Sequence, residues 1–171
     1  RTGWLNRYLT AAGVNEAIGA VTIGSRSVKA LSGEAPALAI PSIASMSLAG
    51  AYADQRLETL HQIHRASGQA LAQTAENAVE VYETLRSVSQ STSVVYPQSS
   101  LASAFRDLAA LIKADIGVRV AAADLGGWDH HFAENDELPG IASDLGAALH
   151  AFATDLGTDL GRTTILVMTE F

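Results

Sequence analysis

The chain has 171 residues, of which 48% are hydrophobic, which is enough for one domain with a sizeable core. Its 18 acidic residues outnumber its 11 basic ones, and the net charge of -7 argues against a nucleic-acid-binding surface, which would be basic and clustered. The chain contains no cysteine, which excludes disulfide bonds and thiolate metal sites. No apolar run is long enough to span a membrane.

The two ends of the sequence predict a fragment of a longer protein. The chain starts at Arg1 without an initiator methionine or a signal-like segment, and it stops at Phe171, directly after an apolar run. A natural domain seldom ends on the last residue of a buried strand, so we expect further residues beyond this sequence. The alternative is a complete domain with a docked C-terminal strand.

Residues 1–50 favour a short helix followed by two short strands. Apolar residues at helical spacing predict a helix over 3–12, with Gly13 as its C-cap. The runs 20–23 and 37–40 are typical of short buried strands, and Pro41 stops the second.

Residues 51–116 predict a long helical insertion. Apolar residues recur at three- and four-residue steps over 51–89, which indicates either one long helix or two helices that break near Gly68. A second helix is expected over 98–116, where Ser99 or Ser100 would cap its N-terminus.

Residues 117–171 favour a strand, a loop, a helix and a further strand. The strands are expected at 118–123 and 163–169, and the helix between them begins near Pro139. Strands that alternate with helices are typical of a parallel sheet. The sequence therefore predicts a helix-rich α/β fold with a partial parallel sheet, in a single partial domain over 1–171.

The stretch 118–131 concentrates the groups that bear chemistry. An apolar run ends in Asp124, two glycines follow at 126–127, and Asp129, His130 and His131 come next. Ligands of open α/β sheets bind outside the carboxyl ends of the strands. Glu170 follows the last predicted strand, so it would approach Asp124 if the two strands are parallel neighbours.

Asp129 and His131 are candidate metal ligands. Carboxylate oxygen and imidazole nitrogen together suit zinc, manganese, iron or nickel, and Asp124 and Glu170 would add oxygen ligands from two strand ends. The alternative is that Asp129 caps the following turn while the histidines are exposed. His130 is predicted to face solvent.

Other candidates favour structural roles. His61 and His64 would form a metal pair or, as we favour, lie on a helix surface or interface, and Trp128 would wall a pocket or anchor the core. An acidic loop or first helical turn is expected at Glu134, Asp136 and Glu137. No nucleophile elbow, phosphate-binding loop or dinucleotide fingerprint is found, so the catalytic residues stay unknown.

Three segments resemble a known family. Gly126-Gly-Trp-Asp-His-His131 is similar to the Gly-Gly-(Trp/Phe)-Asp-Thr-His signature of domain-of-unknown-function family 1501, and Thr164-Ile-Leu-Val-Met-Thr-Glu-Phe171 is similar to its Thr-Leu-Val-Val-Val-Met-Ser-Glu-Phe. The opening Gly3-Trp-Leu-Asn-Arg-Tyr-Leu9 resembles its Gly-Trp-Leu-x-Arg-Tyr segment. The resemblance therefore runs nearly end to end.

The resemblance implies an exported bacterial protein of about twice this length, in the periplasm or outside the cell, with a layout like that of the alkaline-phosphatase-like superfamily. Members of that superfamily are metal-dependent hydrolases of phosphate and sulfate esters. By this likeness Asp129, His131, Asp124 and Glu170 would hold a divalent metal, with zinc, manganese and calcium as candidates. His130 replaces the usual Thr, and Phe171 stands where the superfamily often has His.

Two functions follow as hypotheses. The first is a metal-dependent hydrolase of small anionic esters, with this stretch inactive alone. The second is a non-catalytic exported binding or structural protein that uses its helices for partner contacts. Incomplete sheet edges invite pairing with another chain, so we also expect self-association.

Overall fold

A computed structural model describes residues 2–46, 55, 58–59, 62, 69–129, 131 and 134–169. Contacts between residues divide the chain into two compact units. The first unit contains residues 1–89 and 116–123, and the second contains residues 90–115 and 124–171. The single partial domain expected over 1–171 stays a prediction.

The fold is α/β, as the sequence predicts. The α-helices are α1 (Trp4–Ala11), α2 (Gln69–Ser87), α3 (Ser100–Lys113) and α4 (Glu134–Leu156), and the strands are β1 (Ala20–Ile23), β2 (Leu38–Ile40) and β3 (Val120–Ala123). Short 3₁₀ helices lie at Lys29–Leu31, Ala44–Met46 and Gly157–Arg162.

The first unit is built on a parallel sheet with the strand order β2-β1-β3. The central strand β1 is buried at all four positions, because it has a neighbour on each side. Its pairing with β3 is in register from Ala20 and Val120 to Ile23 and Ala123. The parallel sheet and the three short strands predicted before residue 124 are therefore confirmed.

Helix α1 packs beside this sheet and ends as predicted. Leu9 is fully buried in a cluster with Ala20, Leu31 and Ala35. Gly13 follows the helix with a φ of 67°, a left-handed conformation that glycine adopts without steric cost.

A buried amide completes the packing of α1. Asn6 is 1% exposed, and its Nδ2 donates hydrogen bonds to the carbonyl oxygens of Leu31 and Ala35, both at 2.9 Å. Its Oδ1 accepts from the Ala35 amide at 3.2 Å. One side chain therefore satisfies three backbone groups at the two ends of the loop from 31 to 35.

The second unit is built on the packing of α3 against α4. Leu101, Leu108 and Leu111 form a buried stripe on α3, and the ring of Phe105 lies 5.0 Å from that of Phe152 on α4. These contacts follow the helical spacing of the apolar residues. The Ser99 side chain accepts a hydrogen bond from the Ala102 amide at 3.2 Å, so the predicted N-cap is confirmed.

Two predicted elements differ from the structure. The run 163–169 is not a strand, and Ile165, Leu166, Val167 and Met168 are each at least 41% exposed. A strand requires a hydrogen-bonded partner, and within the described residues the sheet contains only β1, β2 and β3. Helix α4 begins at Glu134 and contains Pro139, whereas the sequence predicted a start near that proline.

The long helix expected over 51–89 is described from Gln69 to Ser87. Val81, Tyr82, Leu85 and Val88 are buried at three- and four-residue spacing, as the pattern predicts. The possible break near Gly68 lies outside the described residues. No helix in the described part of the chain combines the length and apolar character needed to cross a membrane.

Candidate functional site

The candidate site begins where β3 ends. The strands β1 and β3 are paired up to Ile23 and Ala123, so their carboxyl ends lie side by side. The chain places β2 on one side of β1 and then crosses over to place β3 on the other side. The boundary between β1 and β3 is therefore a topological switch point, and ligands of open parallel sheets bind at such points. Asp124 is the next residue of the chain after β3, and it is exposed.

The two predicted glycines form a turn after Asp124. Gly127 has a φ of 89°, a conformation that favours glycine, and a Cβ at this position would lie 3.3 Å from Cδ1 of Ile141. The Trp128 indole Nε1 donates a hydrogen bond to the Leu125 carbonyl oxygen at 2.9 Å. The half-buried Trp128 therefore closes the turn that presents the following residues.

The structure brings Asp129 and His131 together. Asp129 Oδ1 lies 2.7 Å from His131 Nε2, and both side chains are at least 70% exposed. An oxygen donor and a nitrogen donor thus meet at the surface of one loop. A four-coordinate zinc ion requires four such ligands, two more than this pair offers.

Among the described residues, no further predicted ligand is gathered with this pair. No group of three or more His, Cys, Asp or Glu side chains suited to a metal ion occurs among the described residues. Asp124 is described but stands outside any such group. His61, His64, His130 and Glu170 lie outside the described residues, so their assignments stay predictions.

The remaining polar candidates lie on the surface of α4. Glu134, Asp136 and Glu137 are exposed in its first turn, where negative charge is favoured by the helix dipole. His150 is exposed on the same helix. The positions of the three acids agree with the first helical turn that the sequence predicts for them.

Sequence reasoning missed a buried charged cluster near the end of α4. The side chain of Asp155 is 5% exposed and lies 2.6 Å from the Lys113 ammonium. Its carboxylate also accepts hydrogen bonds from the hydroxyls of Thr92 at 2.6 Å and Tyr96 at 2.9 Å. Three side chains, two from a loop and one from α3, thus converge on one carboxylate of α4.

The cluster shifts two protonation equilibria. Desolvation favours protonation of Asp155, but hydrogen bonds from Lys113, Thr92 and Tyr96 outweigh it and lower the pKa of that carboxyl. Burial, followed by the hydrogen bond to Asp155, raises the pKa of Tyr96. Asp155 is therefore charged and Tyr96 neutral at ordinary pH.

A signal for this cluster is present in the sequence. Asp155 follows Ala148 and Phe152 at helical spacing, so it continues the buried face of α4. A carboxylate on such a face requires a cation or several hydrogen-bond donors. The periodicity indicates that a partner is needed, but it does not identify Lys113, Thr92 or Tyr96.

Comparison with known proteins gives a family and no named relative. No curated protein and no solved structure matches the chain. The family model described as Protein of unknown function (DUF1501) matches residues 1–171, and the chain therefore belongs to this family.

Proposed function

We propose that this chain contributes ligands to the divalent-metal site of an exported hydrolase of phosphate or sulfate esters, resembling the alkaline-phosphatase-like superfamily. The contact between Asp129 Oδ1 and His131 Nε2 at 2.7 Å carries the proposal. The loop that holds this contact follows the carboxyl end of β3, where parallel sheets bind ligands.

The donor set fits a divalent cation. Asp129 supplies a carboxylate oxygen and His131 an imidazole nitrogen, and both are accessible to an ion from solvent. Asp124, one residue past the strand, and Glu170 are the proposed additional acids. A divalent ion held there would supply Lewis acidity toward an ester oxygen or a water molecule.

Removing both donors is expected to abolish the site. The double variant Asp129→Ala/His131→Ala of the full-length protein should lose at least about tenfold in affinity for Zn²⁺ or Mn²⁺, because each ligand contributes on the order of 1 kcal/mol or more. Isothermal titration calorimetry and metal analysis after dialysis measure the change. Hydrolysis of p-nitrophenyl phosphate and sulfate, with and without EDTA, tests the reaction.

A matched control removes the same residue types elsewhere. Asp144→Ala/His150→Ala deletes one acid and one histidine from α4 and should leave metal affinity unchanged. Equal metal affinity in the Asp129/His131 variant and the wild type would contradict the site. Metal binding without metal-dependent ester turnover would retain the site and exclude the hydrolase.

A second candidate function is a non-catalytic exported binding protein. The observation that favours it is the apolar stretch Ile165, Leu166, Val167 and Met168, which is exposed and unpaired in the described structure. A β-prone apolar segment without a partner is suited to pairing with another chain.

This surface predicts self-association. Light scattering should give a mass above that of the single chain, and Leu166→Lys/Met168→Lys should restore the monomer, because two charges oppose apolar contact. The control variant Thr158→Lys/Thr163→Lys adds the same charge outside residues 165–168. This variant should not restore the monomer. A monomeric wild-type protein at high concentration would exclude the association.

A further inference from the structure

A polar pocket lies within the second unit, apart from the Asp129–His131 loop. The loop 90–98 and helix α3 form a half-open pocket of about 400 Å³. Its polar lining consists of Gln90, Ser91, Thr92, Gln98, Ser103 and Arg106. It shares no residue with the proposed metal site.

Part-buried hydrogen bonds hold the residues that line this pocket. Thr92 and Tyr96 are both tied to the Asp155 carboxylate, and the Thr92 hydroxyl accepts from the Val94 amide at 3.1 Å. At the start of the loop, Gln90 Nε2 donates to the buried carboxylate of Asp107 at 2.6 Å. A loop held at both ends presents its polar groups without a large ordering cost on binding.

Arg106 is the charged side chain among the residues that line the pocket, although the chain as a whole is acidic. No aspartate or glutamate lines the pocket, in a chain of net charge -7. Among the described residues, the Arg106 guanidinium has no ion pair or hydrogen bond. The nearby Asp155 carboxylate is neutralised by Lys113 at 2.6 Å. Arg106 is thus available to an external anion.

From these features we infer that the pocket binds the phosphate or sulfate group of a small hydroxylated molecule. The planar guanidinium of arginine pairs with two oxygens of such an anion at once. The hydroxyl of Ser103 and the side-chain amides of Gln90 and Gln98 provide hydrogen bonds for a polar remainder such as a sugar.

The test compares charged and neutral forms of one probe. Glucose 6-phosphate should bind the full-length wild-type protein in a saturable manner by calorimetry at fixed ionic strength, and glucose should bind at least about tenfold more weakly. Inorganic phosphate and sulfate separate recognition of the anion from recognition of the sugar. Arg106→Gln should reduce glucose 6-phosphate affinity by a similar factor, while its thermal unfolding stays unchanged because the side chain is exposed.

Two control variants make the result specific. Arg119→Gln removes the same charge from an exposed position outside the pocket and should leave affinity unchanged. Asp129→Ala/His131→Ala should also bind normally, so failure of the proposed metal site would not remove this binding. Equal affinity for glucose and glucose 6-phosphate, or equal losses in the Arg106 and Arg119 variants, would overturn the inference. Loss of binding in the Asp129/His131 variant would assign the ligand to that loop instead and overturn it too.

Discussion

Replacement of Asn6 by aspartate is expected to lower the free energy of unfolding by about 5 kcal/mol, and replacement by alanine by about 3 kcal/mol. The amide donates to two carbonyl oxygens and accepts from one amide, all with its side chain 1% exposed. Alanine leaves three buried backbone groups without partners. Aspartate adds a charge that faces two carbonyl oxygens and has no proton to donate to them.

Urea unfolding followed by circular dichroism measures both effects. Because small domains are stable by about 5–15 kcal/mol, the aspartate variant should be largely unfolded or close to it. The control Asn15→Ala removes an exposed amide from the same unit and should change stability by less than about 0.5 kcal/mol. If the aspartate variant were as stable as the alanine variant, position 6 would tolerate a buried charge, which would contradict the prediction.

The space around Asn6 is restricted as well as its hydrogen bonding. A Cβ added at Gly33 would lie 2.0 Å from Asn6 Oδ1, so the loop passes over the amide without room for a side chain. The amide therefore cannot move away to accommodate a change in its partners. This restriction is the reason to expect the full cost of the unsatisfied groups.

Replacement of Asp155 by alanine is the second large effect, with an expected loss of about 3 kcal/mol in the free energy of unfolding. The change removes the acceptor for Thr92 and Tyr96 and leaves Lys113 without its partner. Urea unfolding measures the loss. Asp144→Ala, on the same helix, is the control and should have little effect.

The stability contributed by Asp155 should also depend on pH. Hydrogen bonding holds its folded-state pKa below the ordinary 3.8, so the contribution is present above that pH and is lost as pH falls through the folded-state value. The stability difference between wild type and the alanine variant should therefore shrink in acid. An equal difference at pH 7 and at about pH 2 would contradict the role of the charged carboxylate.

Much of the fold follows from local patterns. The run Ala20–Ile23 is apolar and bounded by turn residues, and it forms the central strand β1. Ser99 or Ser100, followed by an apolar helical stripe, predicts the start of α3 within two residues. In both cases the residues that decide the structure are neighbours in the sequence.

Other features depend on residues that are distant in sequence. The apolar composition of residues 163–169 is typical of a strand. A strand also needs the edge of a neighbouring strand to pair with, and composition does not reveal whether one is available. The partners of Asp155 lie as far away as Thr92, so its helical position alone cannot identify them. Asp129 and His131 are near each other because both belong to one short loop, and this proximity is visible in the sequence.

The pairing of β1 with β3 bears on the order of folding. Val21 pairs with Leu38, which is 17 positions away along the chain, whereas Ala20 pairs with Val120, which is 100 positions away. Contacts between distant residues form slowly, because the intervening chain must first be closed into a loop. The loop of Asp129 and His131 is attached to the strand that joins over the longer separation. Assembly of the candidate site is therefore tied to a late step of folding, and substitutions that delay β3 would delay the site.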